Sequence, residues 1–187
     1  MDNVCFFNSN QKEFQIYGGK TLAGGCDKRN GRIYLNKDKI NEHTVVHEYI
    51  HRLSRNRRRK YLKINPFTPV LGIHEEYHGV DFSGVNEIIT DWLAYQVTHI
   101  QKGTSVYQVF FFIITDMQKS SYYNEEQFLQ AYFTGKTKYF FNYFRKEKNI
   151  NRKDLRILLF SLNELLFNKR DDWVLTTFRT LYNEYFK

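Results

Sequence analysis

The sequence predicts an α+β chain, and three observations predict it. Five of its ten glycines fall by residue 31 (Gly18, Gly19, Gly24, Gly25, Gly31), around short alternating pieces that read as strands joined by turns. Both prolines, Pro66 and Pro69, lie in one stretch. Beyond Gly103 apolar residues recur at helical spacing almost to the end. The expected plan is one domain of 187 residues, with strands and one helix in 1–62, a loop over 63–84, and a helical part over 85–187.

Taken in order, segments 14–17 and 32–36 are the expected strands. The segment 42–55 places Val45, Val46, Tyr49, Ile50 and Leu53 on one helical stripe. Asn41 suits its N-cap, and Glu42 suits the positive end of its dipole. The stretch 63–84 also holds Gly72, Gly79 and Gly84, so it reads as a long loop, a feature that usually carries function. A helix follows from Val85 to about His99. Further helices are expected over 106–117, 125–133, 138–146, 154–167 and 171–186, with Asn124 and Asn151 as caps.

Composition excludes several classes. Aromatic residues make up 18% of the chain, too many for a disordered protein. Two cysteines, Cys5 and Cys26, cannot build a disulfide scaffold or a four-cysteine zinc module, and they read as free thiols. The longest apolar run, 109–115, is far short of the roughly 20 residues of a membrane span. The first residues have neither a basic start nor a long apolar stretch, so no signal peptide is read there. As written the chain is expected to be cytoplasmic; secretion requires a leader removed before residue 1.

The residues that carry chemistry are His47-Glu48-Tyr49-Ile50-His51. Positions i and i+4 share a helix face, so the two imidazoles point one way and can hold one Zn²⁺ at about 2.0–2.1 Å. Glu48 stands about 100° round the helix from His47, beside such a metal without binding it. A carboxylate there can take a proton from water whose pKa the metal lowers toward 7. Thr44, Val45 and Val46 before the motif, and Tyr49 and Ile50 within it, make the helix at least half buried. Burying two histidines and a glutamate without a partner would be costly. Downstream, Glu87 and Asp91 are also four apart on an expected helix. They suit a metal ligand and a carboxylate that orients a histidine through its second ring nitrogen. Ile88, Ile89, Trp92 and Leu93 leave little of that helix for a solvated acidic face.

His47-Glu48-x-x-His51 followed by Asn86-Glu87-x-x-Thr90-Asp91 resembles the gluzincin (thermolysin-like) metallopeptidases. The resemblance implies a zincin-like fold with His47, His51 and Glu87 as zinc ligands and Glu48 as general base. Asn86 and Asp91 would then support the ligand histidines. It implies hydrolysis of a peptide or protein substrate, with 32–36 as the sheet edge to which an extended substrate adds as a strand. It also implies an oxyanion donor shortly before Glu87, for which Tyr77 is the first choice and His78 the next. The stretch 128–135 (FLQAYFTG) is similar to one in short bacterial zincin-like proteins. The chain is much shorter than most such peptidases, which implies a minimal cleft or one completed by a partner.

Other features compete. His74-Glu75-Glu76-Tyr77-His78 repeats the pattern, but between Gly72 and Gly79 it has room for little more than one helical turn. His43 extends the row of His47 and His51. Using His43 and His47 as ligands would leave no glutamate in the base position, so His43 reads as a first-turn residue near the rim. His99 reads as a packing residue. The run 52–60 (RLSRNRRRK) suits the C-terminal end of a helix dipole and holds more cations than a cap requires. With a net charge of +8, it points to an acidic partner, a nucleic acid or an acidic membrane surface. The alternative to a peptidase is therefore a zinc-stabilised binding module that contacts nucleic acid or a protein through this run. Phenylalanines and tyrosines around 110–112, 139–144 and 182–186 read as helix-packing stripes.

Overall fold

The computed structural model describes residues 4–8, 11, 23–27, 30–59, 67–71, 76–100, 106–167 and 171–187. Among them the chain is α+β and mostly helical, with a small three-stranded sheet. It divides into two compact units, residues 1–72 with 90–101, and residues 73–89 with 102–187. The expected strand at 14–17, together with His74 and Glu75 of the second HExxH match, lies outside the described residues.

In the first unit, β1 (Val4–Phe7) pairs in parallel with β3 (Ile33–Asn36), from Val4↔Ile33 to Phe7↔Asn36. On its other side β3 pairs antiparallel with β2 (Gly24–Cys26), from Gly24↔Leu35 to Cys26↔Ile33. The expectation that 32–36 forms the sheet edge is therefore corrected: β3 is the middle strand. All four of its residues are buried, and a strand bonded on both sides is where such a run belongs. Among the described residues the edges are β1 and β2.

Helix α1 (Glu42–Leu53) starts as its sequence demands, with the Asn41 side chain accepting from the Thr44 N–H at 2.8 Å. It stops two residues before the expected end. The Ser54 N–H closes on the Ile50 carbonyl at 2.9 Å, and its hydroxyl donates to the His51 carbonyl at 3.0 Å. The chain then turns into β4 (Arg55–Arg59), which pairs antiparallel with β5 (Phe67–Leu71) and sets Pro69 opposite Arg57. Most of the basic run is thus a strand rather than the end of a helix.

The stretch expected as one loop also carries β6 (Glu76–Tyr77) and β7 (Val80–Asp81), a hairpin closed by His78 and Gly79. Both turn residues have positive φ, 54° and 69°, the pattern of a two-residue turn matched to strand twist. Helix α2 (Ser83–Thr98) follows, beginning two residues earlier than expected. Asp81 Oδ1 accepts from the Ser83 N–H at 2.8 Å and its hydroxyl at 2.6 Å, and the Gly84 N–H donates to Asn163 Oδ1 at 2.8 Å.

The remaining helices build the second unit. The expected helix 106–117 is a 3₁₀ turn (Val106–Phe110) and then α3 (Phe112–Lys119). α4 (Glu125–Phe133) matches its expected bounds, with Asn124 capping Gln127 at 2.9 Å. The expected helix 138–146 is α5 (Lys138–Asn142) and then a π turn (Tyr143–Glu147). α6 (Arg152–Phe167) and α7 (Asp172–Phe186) pair through Leu155, Leu158, Leu159 and Leu162 against Val174, Phe178 and Leu181, all buried at helical spacing. The aromatic stripes act as core, as expected. Phe140, Tyr143 and Phe144 are fully buried, and Phe112 stands 4.5 Å from Tyr182 between ring centroids. No helix among the described residues is long and apolar enough to cross a membrane.

Candidate metal centre

The centre begins with one face of α1. His43, His47 and His51 recur every fourth residue, and all three are buried at 4–8% exposure. The His47 and His51 rings meet edge to face, 4.8 Å between centroids, with their Nε2 atoms 3.1 Å apart. Two nitrogens held by one tetrahedral zinc at about 2.0–2.1 Å stand about 3.3 Å apart, so this pair already has close to the spacing one ion needs.

The second ring nitrogen of His47 faces a carboxylate. Asp91, on α2 and 2% exposed, places Oδ1 3.4 Å from His47 Nδ1 and 2.7 Å from His43 Nε2. Its Oδ2 is buried and has no hydrogen-bond partner among the described residues. Burial pushes the Asp91 carboxyl up. The hydrogen bonds and charges of His43 and His47 outweigh burial and hold it below the ordinary carboxylate range. A proton on His47 Nδ1 would face this carboxylate and would leave the Nε2 lone pair toward His51. Asp91 therefore lies beside both His43 and His47.

Glu87 lies one turn before Asp91 on the same helix and is half-buried. Ligand atoms of His47, His51 and Glu87 all lie within 4.8 Å of one another, and so do those of His43, His47 and Asp91. These five side chains form a group that could hold a metal ion. Asn86, expected as a supporting residue, is buried on α2 at 3% exposure.

His43 is the residue whose part the sequence understated. It is no rim residue: it is buried, bonded to Asp91, and has Nδ1 3.4 Å from Thr98 Oγ1. Its spacing from His47 was the available signal. Gly24 carried no signal at all. It sits on β2 where a methyl group would stand 3.0 Å from Glu48 Cγ. The expected base thus packs against the β2 backbone, where an added methyl would make neighbouring side chains give by a few tenths of an ångström, and Glu48 itself is buried. Cys26, at the other end of β2, has its thiol raised to about 12, first by burial and then by the nearby Glu48 charge, against a smaller opposing effect of Arg52 and Arg55. Both cysteines are free thiols.

Tyr77 and His78, the expected oxyanion donors, lie in the β6–β7 hairpin of the second unit. The Tyr77 ring stands edge-on to His78 at 4.3 Å and to Phe141 at 5.2 Å. Arg152 donates from Nε and Nη2 to the His78 carbonyl, fixing the turn. The described part of the second HExxH match is therefore strand and turn rather than helix. No family model, no curated protein and no solved structure matches this chain.

Proposed function

We propose that the protein is a zinc-dependent peptidase whose metal is held by His47, His51 and Glu87. The observation that carries this reading is the convergence of the His47 and His51 Nε2 atoms at 3.1 Å, with Asp91 behind the His47 ring. Two imidazoles and a carboxylate are a donor set for zinc that leaves a fourth position open. Zinc held there would supply a Lewis acid for the scissile carbonyl and would bring the pKa of water toward 7. Glu48 then accepts a proton from the attacking water on a carboxylate oxygen and passes it to the leaving amine nitrogen. Asp91, gripped by His43, keeps His47 in one tautomer and one orientation.

The substrate strand is reassigned from 32–36 to β2. That strand is bonded on one side only among the described residues, and its Gly24 abuts Glu48. An extended peptide added there gains main-chain hydrogen bonds beside the base. A buried glutamate next to the histidine pair favours hydrolysis over a zinc-stabilised binding module, which has no use for it.

The test is Glu48→Gln, with zinc content and peptide turnover measured on the same preparations. The amide keeps the shape and cannot accept the proton, so zinc stays near one per chain and turnover falls at least ~10²-fold. Equal turnover by the variant, or a wild type without zinc, would sink the proposal.

A further inference from the structure

The same helix has a second working face. Val45, Tyr49 and Arg52, at i, i+4 and i+7, line a groove of about 470 Å³. Its opposite wall is Val4 and Phe6 of β1, with Leu35 of β3 between. At the other edge of the sheet Gly24 on β2 packs against Glu48 and Thr44 of α1. Its size lies within the range of about 300–1,000 Å³ typical of small-molecule sites. Phe6 and Tyr49 are 53% and 41% exposed, which is unusual for large apolar side chains gathered in one place.

The lining side chains carry one charged group, Arg52, and one neutral polar group, the Tyr49 hydroxyl. Arg52 is half-buried and is paired with no acidic side chain among the described residues. One guanidinium on an apolar wall suits a molecule whose sole polar group is an anion. A peptide would bring an amide at every residue, and the lining side chains offer those amides only Arg52 and the Tyr49 hydroxyl. A concave groove also differs from the exposed apolar face that lies on a bilayer. The geometry points to a binding site for a free long-chain fatty acid, its carboxylate on Arg52 and its chain between β1 and α1. The planar guanidinium fits a carboxylate with two parallel hydrogen bonds. This site does not depend on the metal reading.

The test is displacement of a fluorescent fatty-acid probe by dodecanoate, by dodecanol and by phosphatidylglycerol vesicles. Wild type, Arg52→Gln and Val45→Trp are compared, with circular dichroism and metal content as controls of fold. Dodecanoate should bind saturably, and dodecanol about 10-fold to 100-fold more weakly. Arg52→Gln should bring the acid down to the level of the alcohol and leave the alcohol unchanged, and Val45→Trp should abolish both. Equal binding of acid and alcohol by wild type, displacement by vesicles alone, or no saturable binding would overturn the inference. The comparison on wild type decides the matter even where a variant fails to fold.

Discussion

Replacing Gly24 with alanine should disturb Glu48 without touching the metal. A methyl at this position stands 3.0 Å from Glu48 Cγ, 3.0 Å from Thr44 Cγ2 and 3.2 Å from Leu35 Cδ2. Carbon atoms settle about 3.5–4.0 Å apart, so two side chains must each retreat by roughly 0.5 Å or more. The backbone raises no objection, since Gly24 has no positive φ. Alanine then gains about 0.4–1 kcal/mol from a less flexible unfolded chain. Overpacking costs about 1–3 kcal/mol, so the expected net loss lies between about 0 and 2.6 kcal/mol, centred on about 1.3 kcal/mol. One of the yielding side chains is Glu48, the proposed base. A misplacement of about 1 Å at a reacting group can cost about 10²-fold, so a fall in kcat of about 10-fold is expected, with zinc content unchanged. Urea unfolding measures the first effect and peptide hydrolysis the second. Adding Thr44→Ser removes Cγ2 and should recover part of the stability, while kcat stays low because the contact with Glu48 remains. An alanine variant that is more stable than wild type and has full kcat would refute the reasoning.

The remaining expectations concern ligands and thiols. Glu87→Ala should weaken zinc binding, measured by chelator competition, far more than Asp91→Ala, whose loss is that of an orienting group at about 10–100-fold; the opposite ranking removes Glu87 from the ligand set. Replacing His47 and His51 together with alanine should abolish zinc binding and lower Tm, because bound metal stabilises the folded state by mass action. Replacing His74 and His78 should leave about one zinc per chain, and loss of metal from that variant would move the site. Cys26, with its thiol at about 12, should alkylate at pH 8 roughly 10³-fold more slowly in the native protein than after unfolding. Equal rates would mean that its burial is not maintained in solution.

The legible parts were those written in periodic patterns. Asn41 and the apolar stripe set the start of α1, and the four-residue steps from His43 to His51 and from Glu87 to Asp91 set two faces of the centre. α4 was legible to the residue because Asn124 caps one end and Gly135, at φ 65°, follows the other. The turn types inside 106–117 and 138–146 were not legible, because apolar spacing alone does not separate 3₁₀, α and π windings. Nor were β4 and β5. RNRRR has no strand propensity, and its strand character comes from its partner, a tertiary effect that outweighs local preference. The sheet order was hidden for the same reason: nothing in Val4–Phe7 announces a parallel partner about thirty residues on. The bond from His43 to Asp91 spans 48 positions, so each side chain alone looked unremarkable.

The pairing of β4 with β5 bears on how the protein behaves in a crowded solution. Each strand of this ladder has one partner among the described residues, so each offers an open row of main-chain groups on which another chain could grow. Pro69 in one strand has no N–H to give to a ladder. The other strand has the sequence RNRRR, so a second copy adding to it would bring four positive charges to four. Charge of this kind reaches about 10 Å at 0.1 M salt and about 3 Å at 1 M. The basic run is therefore a built-in barrier to fibre-like growth in dilute buffer, and one that salting would lower.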